Sequence, residues 1–237
     1  MIRWIAFDAV GTLIEPHPSV AVAYHAIGER YGSRLGVEDV RRRFRAAFSR
    51  SEDEDAMAMN GETLAYATSE VRERRRWERI VAEVFDDVAE LEPCFRELWN
   101  HFADPASWRC FEDVAPSLAR LATEGVRFAI ASNFDSRLHA VCDGLPELAG
   151  IQTRVVSSEV GYRKPGAGFF KALQVRLGCA AEELLVVGDD WKNDVCGALE
   201  IGMQAVFLER GRDASVRESS LRPGVMTVRT LADLRLM

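Results

Sequence analysis

Lysine is nearly missing from this chain: it occurs at Lys164, Lys171 and Lys192 and nowhere before Lys164. The long N-terminal half therefore carries its positive charge on arginine and offers no side-chain amine that could form an imine. Positive charge is short overall, with a formal charge of −7. A nucleic-acid surface needs a basic face to neutralise phosphates, so that class of partner is excluded. Long apolar runs are absent as well: nothing approaches the ~18 uninterrupted apolar residues of a membrane span, and no basic segment followed by an apolar run opens the sequence. The expectation is a cytoplasmic protein with no membrane and no nucleic-acid partner. Cys94, Cys110, Cys142, Cys179 and Cys196 are odd in number and contain no Cys-x-x-Cys pair, while the four histidines are dispersed. Neither a disulfide framework nor a zinc site is indicated.

What is present is an alternation. Short apolar runs at Ile2 to Phe7, Val126 to Ala131, Val155 to Val156, Leu184 to Val187 and Ala205 to Leu208 read as buried strands, separated by segments of helical character. The helices before Gly125, Gly178 and Gly202 stop where left-handed backbone is cheapest. Alternating strands and helices predict an α/β fold with a parallel sheet. From about His17 to Asp104 the pattern changes to three-to-four-residue apolar spacing, as in Val20 to Tyr31, Val40 to Phe48 and Ser69 to Phe85, which predicts a helical insert. The runs Arg41 to Arg43 and Arg74 to Arg76 read as solvated helix faces, and the acidic Ser51 to Asp55 patch reads as a loop.

In an open parallel sheet, ligands bind at the carboxyl ends of the strands. Four segments there carry chemistry: Phe7-Asp8-Ala9-Val10-Gly11-Thr12-Leu13, then Ala131-Ser132-Asn133, then Arg163-Lys164-Pro165, and last Gly188-Asp189-Asp190-Trp191-Lys192-Asn193-Asp194. An acid able to attack, a hydroxyl with backbone donors, one cation and a loop of acids are what carboxylate-nucleophile displacement at an anionic centre needs. Gathering Asp8, Asp189, Asp190 and Asp194 would raise their pKa values by mutual repulsion unless a dication were present, and hard oxygen donors favour Mg²⁺.

In this order and strand context the four segments resemble the haloacid dehalogenase (HAD) superfamily, and the resemblance covers essentially the whole chain. It implies a Rossmann-like parallel-sheet core made of residues 1–16 and 105–237, with an α-helical cap at 17–104 inserted after the first motif. It also implies roles. Asp8 would be the nucleophile that forms an aspartyl intermediate, Ser132 would hold a substrate oxygen with help from the Asn133 backbone, and Lys164 would neutralise both nucleophile and bound anion. Gly11 and Thr12 would complete the substrate-binding turn. Mg²⁺ would take Asp189 as its main ligand, with Asp8 and the Val10 carbonyl. Asp194 would orient a coordinated water, and Asp190 would be a further acid in the metal loop. The substrate would be small and anionic, and the protein a monomer or homodimer. Trp191 and Lys192 flank the metal loop as weaker site candidates.

One position departs from the superfamily pattern. Phosphatases of this type usually carry a second Asp two residues after the nucleophile, where this chain has Val10. General acid/base help is worth about 10²–10⁴-fold, so the rate should depend steeply on how well the leaving group departs unprotonated. His17, Tyr24 and His25 are candidates to replace the missing acid. Haloacid dehalogenases resemble the chain in Asp-Ala-x-Gly-Thr, but they replace the fourth-motif acids that are present here. Phosphonoacetaldehyde hydrolases use a cap lysine that this chain lacks. The reading adopted is a Mg²⁺-dependent phosphatase acting through Asp8, with halide hydrolysis, or a slow or non-catalytic phospho-ligand-binding interaction protein, as alternatives.

Overall fold

The computed structural model describes residues 1–57, 66–210 and 225–236. The chain opens with β1 (Trp4–Phe7), a short β2 (Ile14–Pro16) and four helices, α1 (Val20–Arg30), α2 (Val37–Met57), α3 (Glu70–Val84) and α4 (Leu91–His101). It continues through β3 (Trp108–Cys110), α5 (Val114–Ala122), β4 (Arg127–Ser132), α6 (Arg137–Asp143), β5 (Thr153–Val156), α7 (Ser157–Val160) and α8 (Ala167–Leu177). Last come β6 (Leu184–Gly188), a π-helical turn (Trp191–Cys196), α9 (Gly197–Glu200), β7 (Gln204–Leu208) and β8 (Met226–Val228). No helix among the described residues is long and apolar enough to cross a membrane.

Six strands form one sheet in the order β5-β4-β1-β6-β7-β8, and each neighbouring pair is parallel. This is the α/β architecture expected from the alternation. The Trp-Ile-Ala-Phe run of β1 is buried along its whole length because it is central, with Phe7 opposite Ile130 on one side and Val187 on the other. Side chains alternate across the sheet. Ile5 and Phe7 pack with Leu118, Leu121, Leu138 and Val141, whereas Trp4 and Ala6 pack with Phe169, Phe170 and Leu173. Fully burying a large apolar side chain such as Ile5 or Phe7 contributes roughly 1.5–3 kcal/mol, so helices on both faces hold β1 in place. The chain runs outward from β1 in both directions, through β4 and through β6, and the switch point at β1 opens the crevice in which ligands bind.

The four helices α1 to α4 stand over that crevice around their own core of Tyr24, Ile27, Val40, Val81, Val84, Phe85 and Leu98. The antiparallel pair β2–β3 carries the chain out to this layer and back, with Glu15 beside Arg109. These three-residue strands, like β8, are too short to show an alternating pattern and were not anticipated.

Two expectations need correction. Ser51 to Asp55 is not a loop but the last part of α2. Its acids are held by arginines of α3: Glu52 pairs with Arg76, and Glu54 pairs with Arg79 at 2.8 Å. Arg76 is accordingly not solvated. It is 5% exposed, bonded to Ser51 Oγ at 3.0 Å, and stacked over Phe48 and Trp77.

Candidate active site

Asp8 follows the last residue of β1, where its N–H donates to Val187 O at 2.9 Å and extends the ladder by one residue. The chain then turns sharply, with Leu13 N–H donating to Ala9 O and Gly11 N–H to Ile14 O, both at 2.8 Å. Gly11 sits at φ +90°, and a Cβ there would lie 2.4 Å from Asp189 Oδ2. Glycine is required twice over, for the backbone and for the approach of the Asp189 carboxylate. Thr12 adds a hydrogen bond from its hydroxyl to Asp189 Oδ1 at 3.2 Å. Gly11 and Thr12 thus tie the Asp8 turn to the loop after β6.

Ser132 ends β4, is buried, and lines the cavity above the sheet. Asn133 next to it is spent on Lys164: its Nδ2–H donates to Lys164 O at 2.9 Å, and its Oδ1 accepts from Lys164 N–H at 2.7 Å. What Asn133 offers a ligand is therefore its backbone. The clamp aims the lysine, whose ammonium uses its three protons on Asp8 Oδ1 at 2.7 Å, Asp194 Oδ1 at 2.6 Å and Ala131 O at 2.8 Å. Burial alone would lower the pKa of Lys164, but the Asp194 and Asp8 carboxylates outweigh it and hold the amine above its ordinary value. It stays a cation.

Asp194 is 1% exposed and also accepts from Asp190 N–H at 3.1 Å. A Cβ on Gly188 would fall 2.0 Å from Asp194 Oδ2, so the last strand residue is small to admit this carboxylate. Burial raises the Asp194 pKa to about 7; Lys164 opposes the rise and the Asp8 charge adds to it. Carboxylate oxygens of Asp8, Asp189 and Asp194 all lie within 4.8 Å of one another. One ammonium cannot balance three carboxylates in a buried place, and a divalent cation with a preference for hard oxygen donors would. The residues present fit Mg²⁺.

Asp190 takes a different position. Its carboxylate caps the π-helical turn, accepting from Asn193 N–H at 2.9 Å and Asn193 Nδ2–H at 3.0 Å, and it is not one of the three converging acids. Val10 lies in the Asp8 turn and faces the cavity. Trp191 packs on Phe207 with ring centres 5.4 Å apart, and neither it nor Lys192 lines the cavity.

Of the three candidate replacement acids, His17 is exposed, and His25 holds Leu35 O through Nδ1 at 2.9 Å. Only Tyr24 lines the cavity. Burial pushes its phenol above the ordinary value even though Arg137 pulls it down, which makes it a weak proton donor at neutral pH.

The cavity has a volume of about 360 Å³ and lies between the helical layer and Asp8. Sequence reading missed two of its features. One is the polar tie between layer and core: Arg163 bonds Glu73 at 2.7 Å and Glu52 at 2.8 Å, and Glu70 accepts from Ser136 N–H and Oγ, each at 2.9 Å, and from Ser158 Oγ. The other is an aromatic wall from α2, α3 and α4. Its signal was present as Phe44/Phe48 and Phe95/Trp99, each pair four residues apart on one helix face.

A family model described as haloacid dehalogenase-like hydrolase matches residues 2–202. Haloacid dehalogenase-like hydrolase domain-containing protein 3 of Danio rerio is 25% identical, over 88% of this chain and 86% of its own length. A phosphoserine phosphatase of Thermus thermophilus is 25% identical, over 89% and 90% respectively. A dehalogenase crystal structure solved as an intermediate complex superposes with a TM-score of 0.70 at 19% identity, covering 98% of this chain and 94% of that one, and shares the fold.

Proposed function

The chain belongs to the haloacid dehalogenase-like hydrolases, and from that premise we propose that it is a Mg²⁺-dependent phosphatase that hydrolyses a small phosphate ester through an aspartyl phosphate at Asp8. The observation that carries the reading is the convergence of Asp8, Asp189 and Asp194 at the floor of the cavity, with the Lys164 ammonium bonded to Asp8 and Asp194. Such a floor binds a dianionic phosphoryl group only if positive charge is added to it. Among the relatives, the phosphoserine phosphatase fits the same reading.

Asp8 attacks phosphorus and the bond to the ester oxygen breaks, so the phosphoryl group passes to the carboxylate. Lys164 holds Asp8 in place through its hydrogen bond to Oδ1, while Ser132 and the Asn133 backbone hold phosphoryl oxygens. Mg²⁺, held by Asp8, Asp189 and Asp194, would offset the charge of the transferring phosphoryl group. With Val10 beside the nucleophile and a high-pKa phenol at Tyr24, the departing oxygen leaves without strong acid help. Water then cleaves the acyl phosphate and restores Asp8.

A second reading, halide release from a small halo acid, is favoured by Val10, because a halide needs no proton to leave. The three converging acids weigh against it, since they fit a divalent cation that displacement of a halide does not require.

Hydrolysis of p-nitrophenyl phosphate, whose leaving group needs little protonation, tests the proposal. Turnover that requires Mg²⁺ and is lost in Asp8→Asn is the expected result. Turnover indifferent to Mg²⁺, or retained in Asp8→Asn, would overturn it.

A further inference from the structure

The cavity wall opposite Asp8 is built from rings. Tyr24, Phe44, Phe48, Trp77 and Trp99 all line the cavity, and several touch one another. Tyr24 meets Phe44 edge-on at 5.1 Å, and Phe44 stacks on Phe48 at 5.9 Å and on Trp77 at 6.5 Å. At about 360 Å³ the space lies within the ~300–1,000 Å³ range of small-molecule pockets, which leaves room for a substantial group beyond the phosphoryl centre.

Charged side chains also line the wall, but they are engaged with other protein groups. Arg76 holds Glu52 and Ser51, Arg163 holds Glu73 and Glu52, and Arg137 holds both oxygens of Asp135 at 2.7 Å while its guanidinium lies 3.4 Å from the centre of the Trp99 ring. A leaving group rich in hydroxyls would give up its hydrogen bonds to water on entering and meet arginines already committed. A flat apolar ring gives up nothing comparable and gains contact with aromatic faces.

We infer that the site, on the phosphatase reading above, takes phosphate monoesters whose alcohol is an aryl or similarly flat apolar ring, seated against Phe44, Phe48 and Trp77. The absence of an acid at Val10 agrees with this independently, because an aryl oxide leaves without the proton that an alkoxide requires. Phe48 and Trp77 are then specificity-determining residues of α2 and α3, acting on the leaving group and not on phosphorus.

The test separates this wall from the chemistry beneath it by using probes that cannot be hydrolysed. Benzylphosphonate and 2,3-dihydroxypropylphosphonate are titrated calorimetrically, with Mg²⁺, into the wild type, Trp77→Phe, Trp77→Ala and Phe48→Leu. The benzyl compound is expected to bind about 10- to 100-fold more tightly than the dihydroxypropyl compound, with most of that preference lost in Trp77→Ala and retained in Trp77→Phe. Equal affinities, a preference for the dihydroxypropyl compound, or binding of neither would overturn the inference. If p-nitrophenyl phosphate is still turned over in that event, the phosphatase reading stands without it. Tight, Trp77-dependent benzylphosphonate binding by a protein with no phosphatase turnover would support the aryl pocket and overturn the phosphatase reading instead. Phe48→Leu keeps a branched apolar group, so a preference reduced in a variant with wild-type thermal stability reports on the wall and not on misfolding.

Discussion

Lys164 holds two carboxylates apart in a place where water barely reaches. It is 3% exposed, Asp194 is 1% exposed, and both Asp8 and Asp194 rely on the same ammonium. Removing one member of a buried charge cluster costs about 3–5 kcal/mol, because the charge left behind has neither partner nor solvent. Lys164→Met should therefore destabilise the metal-free protein by roughly that much in urea unfolding. Adding Asp194→Asn to it should restore part of the loss, because one stranded carboxylate is gone. A double variant no more stable than the single would show that the lysine serves the fold through packing alone. The lysine itself was legible in the sequence, as the first one in the chain and placed after a strand. Its contact with Asp194 was not, because the two are 30 positions apart, with α8 and β6 between them, in a register that only the folded sheet defines. Asp190 illustrates the opposite limit. Three acids in one loop all looked like ligands, yet the capping need of the turn that begins at Trp191 took one of them.

At the scale of elements, α3 fastens the helical layer to the sheet. Glu70 at its first turn reaches Ser136 and Ser158, and Glu73 one turn later reaches Arg163, the residue before the lysine. Burial alone would raise the Glu73 pKa, but Arg163, Arg76 and the Thr68 hydroxyl outweigh it and hold the carboxyl below its ordinary 4.5. A group whose folded pKa is depressed stabilises the fold fully above its unfolded value, and that contribution disappears as pH falls through the folded value. Wild type should accordingly exceed Glu73→Gln in urea stability by a constant margin from neutral pH down to about 4.5, with the margin closing in more acid solution. A margin independent of pH would mean that the carboxylate charge is not what binds α3 to the core. The periodicity of α3 was readable in advance, but the fate of Arg76 was not. Consecutive helix residues point about 100° apart, so three arginines in a row cannot share one face, and here the third turns inward to meet Glu52. The same partner explains why an acidic stretch with loop-like composition is helix.

For the molecule as a whole, the parallel sheet was the most legible feature, because each inner strand is an apolar run ending at a polar residue. The switch point at β1 then places Asp8, Ser132 and Asp189 side by side at the ends of β1, β4 and β6. What the sequence could not announce is the space between layers. A cavity is a property of how α1 to α4 sit over the strands, and its aromatic wall reads, residue by residue, like an ordinary helical core. The central claim is that the phosphoryl group passes through Asp8, and acid quenching during turnover of an aryl phosphate with Mg²⁺, followed by peptide mapping, tests it directly. Phosphate on the peptide that contains Asp8, absent in Asp8→Asn, is the predicted result. Continued turnover with no phosphate on that peptide under conditions where a model acyl phosphate survives the quench would contradict it.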